Sequence, residues 1–189
     1  IKLLKKPKSS RFLKTLTDEE KNQLNPIIWF GGNQITGDQI FLKSNVKTEE
    51  LDSLIIRGNV FMSQKDSLYS DRFNQIKGEK LDGFFSEGKL DNVYVEKNST
   101  LLYYMYSDDA ELIGLNKTLA SSILIKFFEN EISEVSFYRT PDGNVLSENK
   151  ILTNEMKLPG FIWRESERPN KISDLFSESD KELEIVEIE

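Results

Sequence analysis

The fold of this chain is decided by residues 74–104, which read NQIKGEKLDGFFSEGKLDNVYVEKNSTLLYY. Within 90–95, Val93 and Val95 fall on one face and Tyr94 on the other, at the period of a β-strand. The tetrapeptide SEGK at 86–89 predicts a turn before that strand, and the polar pair at 98–99 interrupts it. Residues 101–106 are apolar or aromatic on both faces. The stretch therefore predicts a strand, a turn, a second strand, a bend and a third strand.

The same unit occurs upstream, and the sequence repeats with a period of about 40 residues, which is typical of stacked supersecondary units. Two pairs of segments match: NQITGDQIFL at 33–42 with NQIKGEKLDG at 74–83, and LDSLIIRGNVFM at 51–62 with LDNVYVEKNSTL at 90–101. A looser third copy runs from Leu119 into 132–138. We therefore predict one repeated β-architecture.

Two short segments occupy the same place in the repeats. Gly58-Asn59 follows LDSLIIR, and Asn98-Ser99 follows the matching LDNVYVEK. A glycine inside a strand pattern usually marks a bulge or a sharp bend. We predict that the strands kink at both pairs, as a strongly curved or folded-over sheet requires.

Composition excludes several classes of function. The chain has 189 residues with no Cys and no His, and its formal net charge is −7. The absence of Cys and His excludes disulfides, metal sites built on these residues and catalysts that depend on them. The negative charge argues against nucleic acid as a partner, because phosphate contacts need clustered Lys and Arg. The sequence contains no run of 18 apolar residues, so it predicts no helix that spans a membrane.

Charge and turn signals divide the chain into three predicted segments. Residues 1–26 form a basic lead-in with one short helix at 18–24, which a capping box of Thr17 and Glu20 would start and Pro26 would end. Residues 27–176 form the β-repeat domain, and residues 177–189 form an acidic tail. Because the sequence begins at Ile1 with no signal-peptide pattern, we expect a processed or partial chain.

Outside the decisive stretch, the patterns predict further short elements. Strands are expected at 27–30, 110–115, 121–128 and 134–139, a turn at 140–143 (TPDG), and a final strand or aromatic cap at 158–164.

The order of these motifs resembles the repeat of the OstA/LptA-like family, which comprises periplasmic components of lipopolysaccharide export. The shared pattern is a strand with G-N-V, a polar stretch, and N-x-[IL]-x-G-[DE]-x-[IL]. It is found here as RGNVFM at 57–62 and NQIKGEKL at 74–81, with an earlier half-copy, NQITGDQI, at 33–40. The resemblance covers about 27–137, and GFIWR at 160–164 with Arg168-Pro169 is similar to the close of longer family members. The third repeat departs from the pattern, because Ser121-Ser122 replaces the Gly-acid pair.

The resemblance implies an all-β fold, an open, taco-shaped antiparallel β-jellyroll whose inner faces form an apolar trough. It implies a periplasmic location, with association with the outer membrane as a further expectation. The implied partners are the acyl chains of lipopolysaccharide or lipid A, and other jellyroll domains of this type or a second copy, paired edge to edge. The resemblance implies no catalysis and no cofactor.

Period-two alternation predicts which side chains would line the trough. They are Leu54, Ile56, Val93, Val95, Leu102, Tyr104, Ile123, Ile125, Phe127, Val135 and Phe137. A closed core needs the same side chains as a trough for acyl chains, so the alternation leaves both interpretations open.

Two other functions stay open beside lipid transport. One is a structural β-repeat segment of an outer-membrane assembly complex, without lipid cargo. The other is a carbohydrate-active enzyme using acids such as Asp38, Asp52, Asp82 and Asp91, although their places at turns and strand starts favour turn formation. Arg164 and Arg168 are candidates for lipid phosphates, with structural ion pairs as the commoner role of such residues. The absence of His and of an acid-pair motif weighs against the enzyme.

Overall fold

The computed structural model describes residues 17, 20, 23–129 and 131–169. It shows an all-β protein in which nine strands form one large antiparallel sheet that does not close on itself. The strands are β1 (Ile27–Phe30), β2 (Asn33–Thr36), β3 (Gln39–Ser44), β4 (Leu51–Lys65), β5 (Phe73–Ser86), β6 (Lys89–Tyr106), β7 (Leu112–Phe128), β8 (Glu131–Tyr138) and β9 (Asp142–Leu146). Helical elements with bounds in the described ranges are 3-10 turns at Glu148–Lys150, Thr153–Glu155 and Glu165–Glu167. The predicted all-β class is confirmed.

The sheet follows the order β1-β2-β4-β5-β6-β7-β8, with β3 and β9 as additional pieces. Along β4, β3 pairs with one stretch and β2 with the next. Along β7, β8 and β9 divide the strand in the same way. Thus β2 and β3 act as one interrupted strand at one side of the sheet, and β8 and β9 act as another at the opposite side.

One line of interrupted register crosses the whole sheet. The ladder breaks between Arg57 and Val60, between Lys77 and Lys80, and between Glu96 and Ser99. We call this line the crease; its residues are 37–38, 58–59, 78–79, 97–98, 121 and 139–141. It divides the sheet into two halves. Half A contains β3, β8 and residues 51–57, 80–86, 89–96 and 122–128; half B contains β1, β2, β9 and residues 60–65, 73–77, 99–106 and 112–120.

Left-handed backbone marks the crease in alternate strands. The φ angles are 75° and 45° at Gly58-Asn59, 64° and 52° at Lys97-Asn98, and 59° and 53° at Arg139-Thr140. Such angles are uncommon outside glycine and redirect the chain. The predicted kink at Gly58-Asn59 is confirmed. In the second copy the left-handed pair begins one residue before the predicted Asn98-Ser99, because Ser99 already rejoins the ladder opposite Ala120.

The two halves of the sheet face each other. Phe30 of half B and Phe85 of half A have ring centroids 4.7 Å apart. Phe30 and Asn74 belong to one cross-strand row, because Phe30 pairs with Asn33, Asn33 with Gln64, and Gln64 with Asn74. In a straight β5, Asn74 and Phe85 would be separated by about eleven residues, or roughly 36 Å. The contact therefore requires the sheet to bend at the crease.

The space between the halves holds the main apolar core, which we call the interior. Its buried members are Ile35, Ile40, Leu54, Ile56, Val60, Met62, Ile76, Leu81, Leu90, Val93, Val95, Leu101, Ala120, Ile123, Ile125 and Phe127. Two crease glycines allow close packing here. A Cβ at Gly37 would collide with the Ile56 side chain, and one at Gly78 with the Val95 side chain. This contact explains why the repeat carries glycine before its acid.

A second apolar cluster lies on the outer face of half B, under residues 147–169, which we call the strap. Phe61, Leu102, Tyr104 and Leu115 of the sheet pack with Leu158 of the strap. Aromatic contacts extend this packing, since the rings of Trp29 and Trp163 lie 5.1 Å apart and those of Phe73 and Phe161 lie 5.0 Å apart. The strap therefore covers the outer face of half B.

Two glutamines at equivalent repeat positions hold the strap backbone. Gln75 donates Nε2–H to the Met156 carbonyl at 2.8 Å, and its Oε1 accepts the Leu158 amide at 2.8 Å. Gln34 makes the same pair of bonds, at 2.7 Å to the Ile162 carbonyl and 2.6 Å from the Arg164 amide.

The third repeat supplies a different anchor. Lys117 lies in the row of Gln34 and Gln75, and its Nζ lies 2.7 Å from Glu155 Oε2 in the strap. The alignment places the start of the third repeat at Asn116, earlier than the predicted Leu119. The repeat therefore encodes the strap attachment as well as the strands.

Several predicted boundaries are wrong. Residues 110–115 and 121–128 belong largely to one strand, β7, because pairing with β6 carries the ladder through both segments. The TPDG turn at 140–143 is not a chain reversal, since β9 continues along the same side of β7 as β8. Residues 158–164 form no strand; they are the aromatic cap of the strap, with a tight turn in which the Phe161 amide donates to the Leu158 carbonyl.

Only part of the predicted N-terminal helix falls within the described residues. The capping-box bonds are present, since Glu20 Oε2 accepts the Thr17 amide at 2.8 Å and Thr17 Oγ1 accepts the Glu20 amide at 3.2 Å. The helix itself is not seen as an element, and residues 18, 19, 21 and 22 lie outside the described residues. Most of the basic lead-in and the acidic tail at 177–189 also lie outside the described residues, and the domain boundaries stay predictions.

Candidate functional site

The interior collects all but two of the predicted trough residues. Leu54, Ile56, Val93, Val95, Ile123 and Ile125 are fully buried there, and Phe127 is nearly so. Val135 and Phe137 pack against them but are only half-buried. Much of the predicted trough is thus a packed core, and its β8 side is less completely covered.

Leu102 and Tyr104 lie outside the interior, on the face that the strap covers. The positive-φ kink of β6 contains two residues, Lys97 and Asn98, so the alternation keeps its phase across the crease. Leu101 and Tyr103 therefore continue the inward series of Val95. The sequence LLYY is apolar at every position, so only the number of kink residues decides which pair points inward.

A cleft opens between the halves on the β8 side. Its volume is about 220 Å³, below the roughly 300–1,000 Å³ that is common for small-molecule sites. The lining comes from β6 and β7 in half B and from β8 in half A: Leu101, Tyr103, Met105, Asn116, Ile132, Ser133, Glu134, Val135 and Phe137. The cleft has room for a segment of one alkyl chain or for one large apolar side chain.

Sequence reasoning identified Val135 and Phe137 but missed the half B wall of the cleft. Leu101, Tyr103 and Met105 share the phase of Val93 and Val95, and this phase was the available signal. Their proximity to β8 depends on the fold at the crease, which joins residues distant in the sheet ladder. Local alternation carries no information about that contact.

The electrostatics of the cleft favour neutral, apolar occupants. Burial raises the pKa of the Tyr103 hydroxyl above its usual value, and the charges of Glu131 and Asp66 raise it further, so this phenol stays neutral. Among the described residues that line the cleft, none is Lys or Arg. Glu134 is paired with Lys126, whose Nζ lies 2.9 Å from its Oε2. The walls therefore offer apolar surface with a few hydrogen-bonding groups at the rim.

Three of the four acids considered for catalysis have structural partners, and the fourth, Asp52, is exposed near the start of β4. Asn59 Nδ2 donates to both carboxylate oxygens of Asp38, at 2.9 and 3.0 Å. Asp82 pairs with Arg57 at 2.8 Å. Asp91 accepts from the neighbouring Asn92 side chain at 2.8 Å. In the ranges that the structure describes, no cluster of three acids could hold a metal ion.

The arginines considered for phosphate binding hold the strap to the start of the sheet. Arg164 is buried, and its guanidinium donates to the Asn25 carbonyl at 2.9 Å and to the Glu167 carboxylate at 2.8 Å. Arg168 donates to the Gly31 carbonyl at 2.8 Å. These contacts agree with a structural role.

Comparison with family models, curated proteins and solved structures returns no match. The described ranges contain no helix with the length and apolar character needed to cross a bilayer.

Proposed function

We propose that this chain is a non-catalytic lipid-binding module of lipopolysaccharide transport, which acts in the periplasm at the outer membrane. Its interior accepts acyl chains at the β8 cleft, and its sheet edges dock to like domains. The observation that carries the proposal is the cleft itself, where the apolar interior reaches the surface between β6 and β8. The repeat pattern supplies the lipid class, through its resemblance to the OstA/LptA-like family.

The proposal includes the finer fold assignment. We assign the bent, unclosed sheet to an open, taco-shaped β-jellyroll of that family. Support comes from the repeated hairpins, from the crease that interrupts the register from β4 to β7, and from the contact of Phe30 with Phe85 between the facing halves. These features are what a repeated, folded-over sheet requires.

Apolar burial supplies enough binding energy for the proposed ligand. Each methylene transferred from water contributes about 0.8 kcal/mol before ordering costs are subtracted. A cleft of about 220 Å³ covers only part of an acyl chain. Partial insertion gives modest affinity, which suits a carrier that must also release its cargo.

Lipid binding is expected to depend on the inward face of β8. Phe137 points into the cleft, whereas its neighbour Tyr138 is 44% exposed and packs edge-on against Tyr94 on the outer face. Phe137→Glu should weaken binding of a fluorescent dodecyl-chain probe by roughly tenfold or more, because a carboxylate replaces apolar wall. Tyr138→Glu, the same change one residue away, should leave the affinity within about twofold.

Fluorescence titration of both variants, with circular dichroism to confirm folding, decides the matter. Equal affinities for the two folded variants would remove the cleft from the proposal.

The edges of half A are suited to docking a second copy. In the described part of the chain, β3 and β8 each pair on one side only. Half A runs β3-β4-β5-β6-β7-β8 with every neighbour antiparallel, so β3 and β8 point in opposite directions. A copy translated along the sheet would therefore place its β3 antiparallel to β8 of the first, and exposed edges favour such pairing.

Cross-strand rows show that the two edges are chemically complementary. One cross-strand row on the inner face runs from Val135 on the β8 edge to Leu42 on the β3 edge. The adjacent row, on the outer face, runs from Glu134 on the β8 edge to Lys43 on the β3 edge. Stacking without a shift would extend the apolar row and place Lys43 of one copy beside Glu134 of the next, a favourable cross-strand pair.

Charge reversal at the edge should weaken self-association. Lys43→Glu would place two carboxylates side by side and is expected to raise the dissociation constant by roughly fivefold. Lys47→Glu makes the same charge change in the loop between β3 and β4 and should have little effect. Light scattering over a wide concentration range measures both. Equal shifts in the two variants would attribute the effect to net charge and reject the edge pairing.

A second function is favoured by the packing of the interior. Six of the predicted trough residues, Leu54, Ile56, Val93, Val95, Ile123 and Ile125, are already fully buried by other side chains. A structural β-repeat segment that docks through its edges and carries no lipid needs such a core. Edge-dependent association without probe binding would select this function.

A further inference from the structure

We propose that the crease is a hinge, and that the two halves of the sheet separate about it to widen the interior for its ligand. The inference rests on the proposed function for what enters, and on the backbone for how the space is made. It addresses a mismatch of size: the cleft is about 220 Å³, whereas most of the predicted trough lies behind it in packed core.

The first observation is that the strand register is interrupted along the crease. The register shifts at the crease in the β4–β5, β5–β6 and β6–β7 pairs. The gaps between β2 and β3 and between β8 and β9 extend the same line to both sides of the sheet. The other register shifts lie near strand ends, between Lys43 and Ser44, Phe84 and Phe85, Met105 and Tyr106, and Lys126 and Phe127. The two halves are therefore joined at the crease by short irregular segments that can absorb changes in φ and ψ.

The second observation concerns the exposed side chains at the crease; the buried crease glycines, Gly37 and Gly78, pack against the core instead. Asn59, Glu79, Asn98, Ser121 and Arg139 are all exposed, so bending there displaces no core packing at these positions.

The bonds that these side chains make run along the crease. Asn59 donates to Asp38 at 2.9 Å, Asn98 to Glu79 at 3.2 Å, and Ser121 to the Arg139 carbonyl at 3.3 Å. Each bond joins neighbouring strands along the hinge axis. Opening about that axis therefore preserves all three bonds.

The third observation is an asymmetry in what holds the halves together. On the β1 side, the rings of Phe30 in half B and Phe85 in half A are in contact, so they join the two halves. On the β8 side the halves are already separated by the cleft. The β8 side therefore separates with the least loss of apolar contact, whereas full opening must also break the contact of Phe30 with Phe85. The open state is thus a minor population without ligand.

Two spin labels test the motion directly, without any lipid. Glu87 and Asp108 lie in exposed turns at the two ends of β6, one at the tip of each half. The chain has no cysteine, so Glu87→Cys and Asp108→Cys provide the only two thiols. Pulsed electron–electron double resonance should show two distances between the labels, a short one in most molecules and a long one in a minor population. Adding a dodecyl-chain probe should enlarge the long population.

A cross-link tests whether opening matters for binding. Opposed β-layers lie roughly 10 Å apart, which is too far for a disulfide. The two thiols of the double variant Phe30→Cys/Phe85→Cys are therefore joined with a short bis-maleimide reagent. The cross-linked protein should bind the probe roughly tenfold or more weakly than the same protein before reaction, because the competent state is lost. Phe41→Cys/Ile55→Cys, a facing pair within half A, is the control and should bind equally before and after.

The outcomes separate the hinge from the proposed function. A single distance that the probe leaves unchanged, together with equal binding before and after cross-linking, overturns the hinge and leaves the lipid proposal standing. Two distances in a protein that binds no probe support the hinge and overturn the lipid proposal. If Phe30→Cys/Phe85→Cys fails to fold, the spin-label pair, placed in exposed turns, still decides the hinge.

Discussion

Gln75→Leu is expected to lower the free energy of unfolding by about 2–5 kcal/mol, because it leaves a buried backbone amide and a partly buried backbone carbonyl without their hydrogen-bond partner. The Leu158 amide and the Met156 carbonyl would each lose the bond that Gln75 supplies at 2.8 Å. Leucine keeps the approximate size of the side chain, so the loss reports hydrogen bonding more than packing. Urea unfolding followed by tryptophan fluorescence measures it, since Trp163 lies in the same strap.

Gln39→Leu is the matched control for this change. Gln39 is exposed on β3, and its replacement should alter stability by less than about 0.5 kcal/mol. If Gln75→Leu is as mild as the control, the strap is not held by the amide contacts. The account of the outer face of half B would then be wrong.

Ile125→Asp is expected to prevent folding, with a cost of roughly 4 kcal/mol or more. Ile125 has no exposed surface, and it lies in the apolar row between Val93 and Val135. A carboxylate there would lose its hydration without gaining a cationic partner. Circular dichroism and urea unfolding measure the effect.

Phe128→Asp, on the same strand but 72% exposed, provides the comparison. It should keep the fold and nearly full stability. A well-folded Ile125→Asp protein would show that water already reaches the interior, and that the trough is open along its whole length. The expected unfolding has a practical consequence: variants at fully buried positions cannot test ligand binding, whereas variants in the cleft can.

Local signals in the sequence predicted much of the sheet. The apolar run of Ile27–Phe30 and the turn between β5 and β6 were recognisable because each depends on neighbouring residues alone. Glu87-Gly88 has φ angles of 52° and 73°, which suits the tight hairpin that SEGK predicted. Gly58-Asn59 revealed its kink because glycine tolerates left-handed backbone.

The remaining features depend on contacts that are distant in sequence. The third repeat was misaligned because Lys117 and Ala120 replace the glutamine and glycine that mark the other copies. Pro141 suggested a chain reversal, but pairing of both β8 and β9 with β7 makes it part of an edge interruption, where proline is tolerated.

For the candidate site, alternation located the inward face of β8 but not the opposite wall of the cleft. That wall is formed when the sheet bends, and its position depends on contacts such as that of Phe30 with Phe85. The strap was likewise foreseen only as a cap of aromatics. The anchors Gln34 and Gln75 belong to the repeat motif, yet nothing local reveals that they bind residues more than eighty positions away.

The central claim is that acyl chains occupy the space between the halves. Photo-crosslinking with benzoylphenylalanine at position 137 or 138 tests it most directly, because these adjacent aromatic positions of β8 face the cleft and the solvent respectively. With lipopolysaccharide present, Phe137→benzoylphenylalanine should yield a lipid-linked product, and Tyr138→benzoylphenylalanine should yield little or none. Equal labelling at both positions, or none at position 137 in a folded protein, would contradict the claim.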